Sequence, residues 1–141
     1  MSKTIINPSS LAKPSGYSNG ILAEGRLLYL AGQTGMDATG RIAAPGDLVA
    51  QFAQALANLK AVVTEAGGAM TDVVKLNIYV TDKNSYKTNL KPIGEAYRSV
   101  FGKHYPVMTL VEVKSLFDDE AMVEIEGLAV VDNYPKYTDH T

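Results

Sequence analysis

The sequence predicts a two-layer α+β sandwich, one mixed β-sheet with two helices on one face, in the order β-β-α-β-α-β-β. Two observations carry this class. One long segment repeats its apolar residues at the 3–4 spacing of a helix, and three later segments alternate apolar and polar residues with the period of a strand. A third sets the layering: the helical segments fall between runs of strands and are too few to cover both faces of a sheet.

Taken in order, residues 1–16 are rich in Ser, Pro and Lys and read as an N-terminal arm. Over residues 19–31, "NGILAEGRLLYLA" sets two short apolar runs around "EGR", which predicts a hairpin. Gly32, Gly35 and Gly40 punctuate "GQTGMDATGR", which predicts a loop. Across residues 47–66, Leu48, Phe52, Ala55, Leu56, Leu59, Val62, Val63 and Ala66 form one helical stripe, with Asp47 as N-cap and Gly67-Gly68 as the stop. In "DVVKLNIYVT", Val74, Leu76, Ile78 and Val80 face one way and Lys75, Asn77 and Tyr79 the other. A second helix is predicted over residues 84–101, its stripe at Tyr86, Leu90, Ile93, Tyr97 and Phe101, with a kink or a late start at Lys91 forced by Pro92. The strands "VMTLVEV" and "AMVEIEGLAVV" finish the domain around the acidic turn "FDDE", and residues 133–141 form a polar tail. Leu110, Met122, Leu128 and Val130 make the uncovered sheet face apolar, which predicts self-association.

The 141 residues fit a single domain, 1–141. With 46% hydrophobic and 20% charged residues, the composition is that of a folded globular chain. A formal charge of −2, with no basic run, argues against a nucleic-acid partner. The absence of cysteine excludes disulfides, thiolate metal sites and a thiol nucleophile. No apolar run reaches membrane-spanning length and the N-terminus lacks the apolar core of a signal peptide, so no membrane partner and a cytoplasmic location are expected.

Glu124 and Glu126 lie two apart in the last strand and so share a face, away from Val123 and Ile125. Carboxylates in mid-strand are either paired or tuned upward in pKa to hold a water or take a proton. His104, beside Tyr105-Pro106, reads as structural, and His140 lies in the tail. No metal-ligand spacing occurs, no serine sits in a "GxSxG" turn, and no cofactor is called for. The glycines of "AGQTG" are turn formers, not a dinucleotide or phosphate loop.

The motifs "GYSNGI", "LLYLAGQTG", "LANLKAVVTEAGG", "DVVKLNIYVTD", "YPVMTLVEV" and "VEIEGLAVV" together resemble the Rid family, also called the YjgF or L-PSP endoribonuclease-like family, from about Gly16 to Val131. The resemblance implies a chorismate-mutase-like fold, a homotrimer, and small-molecule pockets between subunits. In the best-known branch these pockets hydrolyse enamines and imines such as 2-aminoacrylate. It also implies roles: Tyr17 closes the site, Glu124 positions the attacking water, and Gly32 is the loop glycine, preceded here by Ala31 where Ser or Thr is usual.

The family's substrate-clamping arginine falls at Met108, so the chain resembles a divergent branch. A guanidinium grips a carboxylate with charged hydrogen bonds worth ~1.5–3 kcal/mol each, whereas a thioether offers no donor. The expected activity is therefore hydrolysis of an imine or enamine other than 2-aminoacrylate, with Tyr105 and Met108 as an apolar wall. The usual substrate would need Lys75, Arg98 or Lys103 to reach the pocket. A non-catalytic trimer binding a metabolite or protein is the alternative, ahead of endoribonuclease activity.

Overall fold

A computed structural model describes residues 3–132. The elements are β1 (Lys3–Ile6), β2 (Gly20–Ala23), β3 (Arg26–Gln33), α1 (Leu48–Glu65), a 3-10 turn (Met70–Asp72), β4 (Val73–Val80), α2 (Lys83–Thr88), α3 (Leu90–Phe101), β5 (Val107–Glu112) and β6 (Val123–Val131). The main sheet runs β3-β6-β4-β5. Only the β4–β5 pair is parallel, so the sheet is mixed. The α+β sandwich read from the sequence is the observed fold.

The N-terminal part differs from the hairpin expected there. β2 pairs with β1 in a separate two-stranded ribbon, while β3 leaves it to form an edge of the main sheet beside β6. Part of the supposed arm is thus a strand, tied to the domain where Lys3 Nζ meets Asp72 Oδ1 at 3.0 Å. The predicted polar tail, with His140, lies outside the described residues.

Helix α1 forms where its capping signals place it. The Asp47 carboxylate accepts from the Ala50 N–H, satisfying one of the helix's free donors. At the other end Gly67 adopts φ +82° and Gly68 N–H returns to the Val63 carbonyl, an ending that side-chain-bearing residues resist. The apolar stripe buries Leu48, Phe52, Ala55, Leu56, Leu59 and Val63 against the sheet.

The second helical segment divides at Asn89 into α2 and α3. Pro92 is the third residue of α3, in the first turn, where a backbone N–H has no helical partner to lose. The rows facing the core are Ile93, Tyr97 and Phe101.

Two irregularities set which side chains face the core. Between β4 and β6 the register skips one residue at Val74. Val73 takes the core position expected of Val74, in line with Leu76, Ile78 and Val80. Between β3 and β6, Leu30 pairs with Gly127 and Gln33 with Ile125, so Ala31 and Gly32 together oppose the single residue Glu126. Gly32 belongs to the end of a strand rather than to a loop.

The helix-free sheet face carries Leu27, Tyr29, Val111, Leu128, Lys75, Asn77, Tyr79, Glu124 and Glu126, as the pairings Tyr29↔Leu128, Tyr79↔Val111 and Tyr79↔Glu124 require. Tyr29 is 76% exposed and Leu27 57%. Leu110 and Met122, expected on this face, pack instead against the core cluster.

Candidate functional site

The sequence-predicted site residues fall into two groups on opposite faces of the sheet. The first group is Glu124 with Gly32. Glu124 projects from β6 on the helix-free face, and the bulge at Ala31–Gly32 brings the β3 backbone beside its carboxylate. A methyl group at Gly32 would overlap Glu124 Oε2 and stand 2.9 Å from its Cδ. The glycine is what leaves room for this carboxylate.

Glu126, the other candidate, has a different task. Its Oε2 accepts from Tyr79 Oη at 2.8 Å and from Asn77 Nδ2 at 3.1 Å. These donors, Tyr79 first, hold its carboxyl below the usual range rather than tuning it upward. The same bond raises the Tyr79 phenol. Glu126 is a structural anion, whereas the Glu124 side chain makes no hydrogen bond to a described residue.

The second group is Tyr17, Tyr105 and Met108. Met108 pairs with Leu76, a core residue, and therefore points to the helix side of the sheet. Together the three line a cavity of about 480 Å³ between β5 and α3, with Tyr86, Leu90, Ile93 and Arg98 among the other walls. Its rim is built by hydrogen bonds around Pro106. Ser18 Oγ donates to the Tyr105 carbonyl at 2.6 Å and Ser18 N–H to the Pro106 carbonyl at 3.1 Å. Tyr97 Oη donates to the His104 carbonyl at 2.7 Å. The Tyr97 ring stacks on Phe101 at 4.5 Å and on Tyr105 at 5.7 Å between centroids. Burial, with the neighbouring Tyr105, pushes the Tyr97 phenol far up, so it stays a donor.

His104 Nε2 lies 2.6 Å from the Val73 carbonyl oxygen, so it donates there and clasps the β5 entry to β4. Among the described residues no three His, Asp or Glu side chains converge to hold a metal ion. No helix among them is long and apolar enough to cross a membrane.

Sequence reasoning named Arg98 only as one of three cations. It did not single out Gly94, Tyr86 or Leu90 as part of a cavity. The available signal was the row Leu90, Gly94, Arg98 at spacing four, beside the buried row Ile93, Tyr97, Phe101.

Residues 8–131 match the Endoribonuclease L-PSP family. A 2-iminobutanoate/2-iminopropanoate deaminase of Escherichia coli is 34% identical over 134 residues, covering 92% of this chain and 98% of that protein. A RutC family protein of Pyrococcus abyssi is 33% identical over 130 residues, covering 92% and 98%. The crystal structure of a Rid-family protein of unknown function from Yersinia pestis superposes with a TM-score of 0.82 at 34% identity, covering 93% of this chain and 100% of that one. The mixed sheet, the helices on one face and the matched sequence agree, and the chain belongs to the Rid (YjgF, endoribonuclease L-PSP) family.

Proposed function

We propose that this chain is a Rid-type hydrolase of imines or enamines, working as a homotrimer in which one copy brings Glu124 to the cavity of another. The observation that carries the reading is the split of the candidate residues across the sheet. Glu124 and Gly32 stand on one face and Tyr105 and Met108 on the other, with Tyr17 at the β5 edge between them, where it also lines a cavity beside Lys75 and Thr109. A substrate in the cavity of a single chain cannot touch that chain's Glu124 through the sheet. The exposed Leu27 and Tyr29 on the Glu124 face give a second copy an apolar surface to cover.

In the hydrolysis, a water oxygen bonds to the imine carbon while Glu124 accepts a water proton. That proton passes to the nitrogen to give a carbinolamine; Glu124 then carries the hydroxyl proton to the same nitrogen as the carbon–nitrogen bond breaks, and a carbonyl compound and ammonia leave. One water is consumed and Glu124 regains its charge. Glu124 suits the task because, unlike Glu126, its carboxylate is not already held by neighbouring donors. His104, engaged with the Val73 carbonyl, supports hydrolysis over RNA cleavage, which would call on a second acid–base group.

The test mixes two deficient variants, Glu124→Gln and Tyr17→Phe, unfolds them together and refolds them. Random assembly rebuilds about one quarter of between-copy sites intact. Ammonia release from imines made in place by an amino-acid oxidase is expected to recover to about that fraction of wild type. No recovery, or a light-scattering mass other than that of three chains, contradicts the proposal. A ligand carried through purification by a protein with no turnover on any imine favours the binding alternative, for which the large cavity without a carboxylate speaks.

A further inference from the structure

We propose, resting on that reading, that Arg98 of α3 is the specificity-determining charge of the cavity, which takes a monoanionic acid with a bulky apolar or aromatic body. Four observations converge. First, the cavity of about 480 Å³ is far larger than a three-carbon acid fills, and Tyr86, Leu90, Ile93, Met108 and Leu110 make its wall apolar. Such a wall rewards an apolar body and gives a small acid nothing to bury.

Second, Arg98 is the one charged residue lining it among the described residues. Its guanidinium is laid back along the helix over Gly94, where a methyl group would stand 3.1 Å from Nη1. A glycine inside a helix costs about 1 kcal/mol relative to alanine, and here its missing side chain leaves the space the guanidinium occupies. Third, that guanidinium makes no hydrogen bond or ion pair with a described residue, so its donors are available to a ligand. Fourth, the adjoining cavity of about 550 Å³, which shares Gly16, Tyr17 and Tyr105, is lined by Lys13 and Lys103 and, among the described residues, by no carboxylate. The potential around Tyr17 and Tyr105 therefore favours an anion throughout.

For the proposed reaction the substrate class becomes imines of amino acids with large apolar side chains. Their carboxylate would lie on Arg98 and their side chain along Ile93, Met108 and Leu110.

Calorimetry with three probes separates charge from bulk. Phenylacetate is expected to bind wild type at least about tenfold more tightly than acetate, which lacks the ring. It should also bind at least about tenfold more tightly than phenylacetamide, which lacks the charge. In Arg98→Gln, phenylacetate should fall to the level of phenylacetamide, whose own affinity stays put; Arg98→Lys should restore part of the difference. With the imine derived from phenylalanine, Arg98→Gln should raise KM by a similar factor and change kcat little. Equal affinities for phenylacetate and acetate, no measurable binding, or an unchanged Arg98→Gln overturn the proposal.

Turnover distinguishes the two readings. Wild type that binds phenylacetate through Arg98 yet hydrolyses no imine keeps the ligand class and overturns the hydrolase. Wild type that hydrolyses imines, with Arg98→Gln unchanged in KM and in phenylacetate affinity, overturns the ligand class alone.

Discussion

Replacing Gly32 by alanine tests the placement of Glu124 more sharply than removing the carboxylate does. The added methyl would overlap Oε2 and approach Cδ to 2.9 Å, while ordinary carbon contacts begin near ~3.5 Å, so the carboxylate must move by about 1 Å. The three nearest atoms are all side chain of Glu124, which can rotate. The folding cost is therefore small, under about 1 kcal/mol, or a loss of about 3 °C in Tm. Misplacing a group that orients water by about 1 Å lowers turnover by about a hundredfold. The expected pattern in Gly32→Ala is a near-normal melting curve, a KM close to wild type and a kcat down by roughly two powers of ten. The assay is ammonia release from oxidase-generated imines alongside calorimetric melting. A Gly32→Ala protein with wild-type kcat would refute the role given to this carboxylate. A large fall in Tm would refute the claim that only a side-chain tip is displaced.

Two further outcomes follow from polar groups with fixed partners. Glu126, held below its ordinary value of 4.5 by Tyr79 and Asn77, adds stability above its unfolded-state pKa and loses it as pH falls through the folded-state value. Wild-type Tm should thus drop more between about pH 6 and about pH 3 than that of Glu126→Gln, and equal slopes would contradict the assignment. Gln51, fully buried, donates Nε2 to the Ala44 and Glu120 carbonyls and accepts the Met122 N–H at Oε1. Gln51→Leu should cost about 2–3 kcal/mol in urea unfolding, because it removes three hydrogen bonds that this buried side chain makes to part-buried backbone groups; a loss below about 1 kcal/mol would mean water replaces the side chain.

Elements governed by local chemistry were legible in the sequence. Asp47, the α1 stripe and Gly67 state where that helix begins and ends, and the alternation of β4, β5 and β6 gives their faces relative to themselves. Pairings between distant segments were not legible. β1 was missed because four residues of an arm become a strand only against β2, and the apolar run of β3 fits a hairpin as well as a sheet edge. Period two sets Met108 and Leu110 on one face of β5 and Val107 and Thr109 on the other. Period two alone cannot say which set meets the helices; the register Leu76↔Met108 decides that. For the same reason one chain's Glu124 and Met108 read as neighbours in a list and stand on opposite faces in space. Met108 itself turned out to line a cavity whose charge sits on α3, at Arg98.

The edge position of β3 bears on the fate of a chain that has not entered the proposed trimer. A strand with no neighbour beyond it presents unpaired N–H and C=O groups, and here the exposed Leu27 and Tyr29 flank them. Apart from Arg26, its first residue, β3 carries no charge or proline to discourage another strand from adding to it. If the proposed trimer covers this margin, a dilute or newly made copy is the form in which it would template aggregation. Selection on such a surface acts through the lifetime of the lone chain, and substitutions at Leu27 or Tyr29 that leave the cavity untouched would alter yield and inclusion-body formation before they altered chemistry.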